Sequence, residues 1–175
     1  VKSPVKYYTD QQFTALPLVE RALITASSQK GVKETRANRG PMVDEYNKAG
    51  GAALGSPWCA SFVSWCLIRA GVSRSDIMGK LGNPAWTYNW YKWAKKYGHL
   101  VVKPKRGDLF VWYNNKSGGH IGFIVEVYDD GSFRTLEGNT NDGGSREGIE
   151  VAERIRKGLP LADYKGFISI RNVWK

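Results

Sequence analysis

Gly55-Ser56-Pro57-Trp58-Cys59-Ala60-Ser61-Phe62-Val63-Ser64-Trp65-Cys66 reads as a helix start that carries a cysteine in its first turn. Ser56 suits the N-cap and Pro57 the first helical position. Cys59 then stands beside unpaired backbone N–H groups and the positive end of the helix dipole, which favour thiolate over thiol. Phe62, Val63, Cys66, Leu67 and Ala70 recur at helical spacing from Cys59, and Gly71 supplies a stop. The expectation is a buried helix over 57–70 with Cys59 on its core side. A plain reading of Cys59 as a small apolar residue stands beside the reactive one. Cys66, two turns deeper, is read as core. On one helix these two cysteines would lie about 10 Å apart, beyond the roughly 7 Å that a disulfide spans. No disulfide scaffold is expected, and the compartment stays open.

Beyond this stretch helices come first and strands second, the order of an α+β layout. Leu16, Val19, Leu23 and Ala26 mark an amphipathic helix ending near Gly31. A polar, Gly-rich connection follows to Gly55 with a short helical candidate, Met42 to Lys48. Another helix is expected over about 84–97, where Trp86, Trp90, Trp93 and Tyr97 share a face. That stripe is read as core rather than a sugar platform, with Trp86 at its start able to reach a cleft. From Gly107 the pattern turns to alternation, with strands expected over 108–113, 121–128, 132–137 and 166–174 in an antiparallel sheet. The whole, 1–175, is expected to be one catalytic domain: an extended leader over 1–14, a helical leader over 15–55 and a core over 56–175.

Composition bounds the partners. The 175 residues, rich in aromatics, suffice for a proper core, and the formal charge of +10 predicts attraction to polyanions. The basic residues are scattered, however. Lys103 to Arg106, and Arg154 with Arg156 and Lys157, are too short to mark a nucleic-acid stripe, so no nucleic-acid partner is expected. No apolar run is long enough to span a bilayer. The amino terminus shows neither a signal-peptide h-region nor an initiating Met, which reads as a trimmed or processed chain.

Asp129-Asp130-Gly131 is a hairpin signal between the second and third strands, and chemistry stands at the hairpin's open end. His120 opens one strand, while Glu137 and Asn139 close the other. With a two-residue turn at Asp130-Gly131, His120 falls opposite Asn141, and Asn139 is its diagonal neighbour. Glu137 shares the face but reaches the imidazole only if a bulge or bend shortens the path. The register thus supports a polar partner for His120 without choosing it. The other histidine, His99, follows Gly98 and reads as a surface or capping residue. A cysteine at a helix start, a histidine opening a strand and a carboxylate or amide beside it supply the three roles of thiol hydrolysis. Such a site needs no metal.

Four ordered blocks now resemble a family: Pro57-Trp58-Cys59-Ala60-Ser61-Phe62-Val63, Arg106-Gly107-Asp108-Leu109-Phe110-Val111-Trp112, Gly119-His120-Ile121-Gly122-Phe123-Ile124-Val125 and Leu136-Glu137-Gly138-Asn139-Thr140. They are similar to those of the CHAP domain, the cysteine, histidine-dependent amidohydrolase/peptidase family related to NlpC/P60 and papain-like enzymes. The resemblance implies a papain-like fold with N-terminal helices packed on an antiparallel β-sheet, and cleavage of amide bonds in bacterial peptidoglycan. It assigns the nucleophile to Cys59, the base to His120, and orienting or accessory roles to Glu137 and Asn139. By analogy, the backbone N–H of Cys59 contributes to an oxyanion hole. Some relatives bind calcium through acidic residues upstream of the cysteine. The corresponding stretch here, Asn47 to Leu54, has no carboxylate, so no metal site and no cofactor are carried over. Asn139 to Gly144 with Glu150 lacks the leading Asp of a calcium loop and reads as a polar active-site loop.

Trp58, Gly119 and Trp112 flank the expected site and are candidates for substrate contact, as is the polar loop from Asn114 to Gly119. The leading expectation is a peptidoglycan hydrolase, either an N-acetylmuramoyl-L-alanine amidase or a crosslink endopeptidase. It would be secreted or delivered to the bacterial wall or periplasm, and monomeric, with an inhibitor or immunity protein as a candidate partner. Two alternatives stand beside it: a thiol amidase or peptidase with a non-wall substrate, and a non-catalytic basic module binding wall or nucleic acid.

Overall fold

The computed structural model describes residues 1–140 and 148–174. Six helices occupy the first part of the chain: α1 (Asp10–Ala15), α2 (Leu18–Ser27), α3 (Pro41–Gly50), α4 (Cys59–Arg69), α5 (Arg74–Leu81) and α6 (Thr87–Lys96). The strands β1 (Leu100–Val101), β2 (Leu109–Asn114), β3 (Gly118–Val127), β4 (Phe133–Thr140), β5 (Glu150–Arg156) and β6 (Tyr164–Ile168) follow. They form a six-stranded sheet in the order β1-β6-β2-β3-β4-β5, and every neighbouring pair is antiparallel. This is the α+β arrangement of helices packed on an antiparallel sheet that the alternation pattern implies, and it agrees with a papain-like CHAP fold.

Helix α4 is the centre of the molecule. Cys59 through Ser64, then Cys66 and Leu67, are all buried, and the helix packs on α2, α3, β3 and β4. Two glycines permit the close approach. A Cβ on Gly50 would meet Ser61 Oγ at 2.5 Å, and one on Gly138 would meet the Phe62 side chain at 2.7 Å. On the sheet, Leu109, Val111, Ile121, Phe123, Leu136 and Ile168 join the helices in the main core. The alternate residues Phe110, Ile124 and Phe133 form a second cluster, with Trp112, Leu159 and Phe167 against it.

Several boundaries differ from the sequence reading for identifiable reasons. Residues 10–14, expected to be extended, belong to α1 because Thr9 and Gln12 make a reciprocal capping box. Helix α4 begins at Cys59 rather than Pro57, with Trp58 and not Ser56 as its N-cap residue. Helix α5, capped by Ser73, and strands β1 and β5 carry too little apolar periodicity to stand out, since only Ile77 and Leu81 are buried in α5 and only Val151 in β5. Both cysteines are free and buried. Among the described residues no helix is long and apolar enough to cross a membrane.

Candidate active site

Trp58 sets the entry to α4. Its indole Nε1 donates to Glu34 Oε1 at 2.7 Å, and its ring stacks on Tyr46 with centroids 5.5 Å apart. Its side chain is fully buried, with 0 % exposure. The expectation that Trp58 lines a substrate groove is therefore corrected: burial and its bond to Glu34 make it the anchor of the helix start. Cys59, as the first residue of α4, contributes one of the N–H groups that a helix leaves without an intrahelical acceptor.

The hairpin between β3 and β4 decides what His120 can touch. Its loop is one residue longer than a two-residue turn, because Tyr128 N–H donates to the Ser132 carbonyl at 2.9 Å and Val127 pairs with Phe133. Asp130 holds this turn by accepting from the Ser132 N–H at 2.9 Å. A second irregularity follows, since Ile124 pairs with Thr135 but Glu126 with Arg134, leaving Val125 as a bulge. Together they move the register by two residues, which keeps the side-chain face and slides Glu137 toward His120. Gly122 now lies against Glu137, where a Cβ would come within 2.9 Å of Glu137 Cγ.

His120 is buried, with 1 % exposure, and its Nε2 bonds Glu137 Oε2 at 2.7 Å. The residue that holds the imidazole is thus Glu137. Asn139, also buried, takes a left-handed backbone at φ 55°, where the β4–β5 register shifts, and neither polar atom of its amide has a partner. Asn141 to Gly144 lie outside the described residues.

Glu137 is itself held on all sides. Arg156 donates from Nε to Oε1 at 2.6 Å and from Nη2 to Oε2 at 2.7 Å, a two-pronged pairing, and Thr135 Oγ1 donates to Oε1 at 2.5 Å. The guanidinium lies over the Phe110 ring at 4.8 Å, and that ring sits 5.8 Å from the imidazole. Burial alone would raise the Glu137 pKa, but the bonds and charges of His120 and Arg156 outweigh it and hold the carboxyl well below the usual range. Burial likewise would lower the imidazole pKa. The nearby Cys59 sulfur, together with the bond to Glu137 and the charge of its carboxylate, instead holds it up at about 9. His120 Nδ1 has no partner of hydrogen-bond geometry, yet the thiol is close enough to act on the ring.

A cleft of about 440 Å³ opens beside these groups, lined by Cys59, Ser56, Pro57, Trp86, Thr87, Tyr113 and Gly119 among others. Gly119 lies in the cleft lining, and it has to be glycine: a Cβ there would collide with the Trp112 carbonyl oxygen and reach Thr87 Oγ1 at 2.5 Å. Trp112 does not line the cleft. Its ring, half-buried, packs against the second apolar cluster and lies 6.4 Å from the His120 imidazole. Sequence reasoning missed Arg156 and Tyr113. The weak apolar pattern along 150–156 does not mark the strand that carries Arg156, and still less its register. Among the described residues no group of acidic, histidine or cysteine side chains could hold a metal ion.

The model of the CHAP domain family matches residues 51–139, a span that holds Cys59, His120, Glu137 and Asn139, and the chain belongs to this family. Neither the curated proteins nor the solved structures returned a match. Family membership supports a cysteine-hydrolase function related to peptidoglycan in general terms.

Proposed function

We propose that this protein cleaves an amide bond of bacterial peptidoglycan through a Cys59 acyl-enzyme. The observation that carries the reading is the buried His120–Glu137 bond of 2.7 Å beside a cleft whose wall contains Cys59 at a helix start. Cys59 Sγ, its proton passed to the imidazole, attacks the carbonyl carbon. The tetrahedral oxyanion forms beside the Cys59 backbone N–H, and collapse breaks the C–N bond as the imidazolium gives its proton to the leaving amine. Water, deprotonated by the imidazole, then hydrolyses the thioester and releases the carboxylic acid and the free thiol. Because Glu137 takes Nε2, Nδ1 is the nitrogen left to exchange protons with Cys59. Glu137 fixes the ring and supports its positive charge. Asn139, with its unpartnered buried amide, is proposed as an accessory polar residue, and Gly119 as the place where backbone meets substrate.

The test is incubation of purified peptidoglycan with the wild type and with Cys59→Ala, followed by mass spectrometry of the released fragments. Cleavage by the wild type alone is expected. Absence of cleavage across several wall types, with both proteins folded, would overturn the reading and favour a non-wall substrate or a binding role.

The site also sets a pH dependence. The imidazolium is retained up to about pH 9, so kcat/KM is expected to stay level between about pH 7 and 8 and to fall above about 9. Stability follows the same sign. His120 has a folded pKa above its ordinary 6.5, so its contribution is complete below about 6.5 and lost as pH rises through about 9. Glu137, held below its ordinary 4.5, contributes above that value and loses its share as pH falls through the folded pKa. Thermal unfolding across pH should show both limbs, and His120→Gln should flatten the alkaline one. An alkaline limb unchanged in that variant would remove His120 as its cause.

A further inference from the structure

We propose that Trp86 and Tyr113 form a saccharide-binding corner at the mouth of the cleft, seating the wall's glycan so that the amide bond next to the sugar meets Cys59. This rests on the peptidoglycan reading above and narrows it to the amidase reaction, in which the bond cut joins the muramic lactyl carbonyl to the first amino acid.

Trp86 is 44 % exposed, whereas Trp90 and Trp93, on the same helical stripe, are buried. A contiguous exposed aromatic patch that opens into a cleft marks a contact surface. Trp86 and Tyr113 both stand in the cleft wall with Cys59, their rings 5.9 Å apart at an interplanar angle of 80°, so one forms a wall and the other a floor. Behind them Tyr88 lies 5.3 Å from Trp86 and 5.2 Å from Tyr113, and Tyr164 lies 4.9 Å from Tyr88. These rings hold the corner rigid, and Lys92 covers Tyr88 at 5.6 Å, which leaves Trp86 and Tyr113 as the rings that meet the cleft.

The corner suits a pyranose. One face of such a ring is a patch of C–H groups that packs on the electron-rich face of an indole or phenol, while the tyrosine hydroxyl can bond the sugar's own hydroxyl and amide groups. A crosslink peptide carries ionised carboxylate and amino groups and would call for charged partners. Among the described residues the cleft lining has none: its polar side chains are those of serine, threonine, asparagine, tyrosine, tryptophan and cysteine.

The experiment titrates the Cys59→Ala protein with the tetramer of N-acetylglucosamine, followed by NMR of the indole N–H groups. Trp86→Ala and Tyr113→Ala are added to that background, with Tyr97→Ala, an exposed aromatic away from the cleft, as control. The tetramer should perturb the Trp86 signal. Trp86→Ala should weaken binding by about tenfold or more, Trp86→Phe should restore most of it, and Tyr97→Ala should leave it unchanged. No perturbation, or equal binding by a folded Trp86→Ala protein, overturns the proposal. In parallel, wall fragments from the active enzyme should show a free lactyl carboxyl group, and crosslink cleavage would overturn it. Sugar binding without any wall cleavage would sink the hydrolase reading and leave the corner standing. Cleavage without sugar binding would do the reverse.

Discussion

Exchange of His120 for Ala is expected to lower kcat/KM on peptidoglycan by about 10⁴-fold, and Cys59→Ala by at least as much. The two losses should not multiply. A base that deprotonates a nucleophile has nothing to act on once the thiol is gone, so the double variant should be no slower than the worse single. The fold should survive the histidine change, because Glu137 keeps both Arg156 bonds, 2.6 and 2.7 Å, and the Thr135 bond of 2.5 Å. Circular dichroism and thermal unfolding at pH 7 would establish this, and steady-state rates of fragment release would give the cycle. Losses that multiply would mean that Cys59 and His120 act independently, which the acyl-enzyme reading does not allow.

The helix and the strand that carry these two residues were legible in the sequence because their signals are local. A helix with Cys59 at its start follows from the apolar spacing of Phe62, Val63, Cys66 and Leu67, and the helix runs Cys59–Arg69. A histidine opening a strand follows from Gly118-Gly119-His120 ahead of an apolar run, and β3 starts at Gly118. The choice between Glu137 and Asn139 was not legible, since it depends on two insertions in the register. Asp130 captures the Ser132 N–H and lengthens the turn, and Val125 bulges. Neither leaves a mark in the alternation of apolar residues. The role of Trp58 was hidden for a related reason: its partner, Glu34, lies 24 residues earlier in the chain, so the indole looked free for substrate when it is buried.

Arg156 shows the same limit and carries the second large effect. It enters the site only because β5 pairs with β4 so that Arg156 stands beside Phe133, which brings the guanidinium over Phe110 and onto Glu137. Arg156→Met keeps an apolar chain on the Phe110 ring and removes both donors. Glu137, with 0 % exposure, then keeps only His120 and Thr135, and a buried ion deprived of one partner costs about 3 to 5 kcal/mol. A drop of that size in unfolding free energy is expected from denaturant titration, with a loss of about 10²-fold in kcat/KM as the imidazole loses its fixed orientation. Adding Glu137→Gln to Arg156→Met removes the stranded charge, and should recover much of the stability but none of the activity. The pH profile separates positioning from mere support of the fold. Glu137→Gln takes away the charge that sustains the imidazolium, so the alkaline limb near pH 9 should move to lower pH. Arg156→Met leaves the carboxylate in place and removes a neighbouring positive charge, so the limb should not move down. An Arg156→Met protein as stable and as active as the wild type would show that Glu137 needs no clamp, and that Thr135 and His120 suffice to hold it.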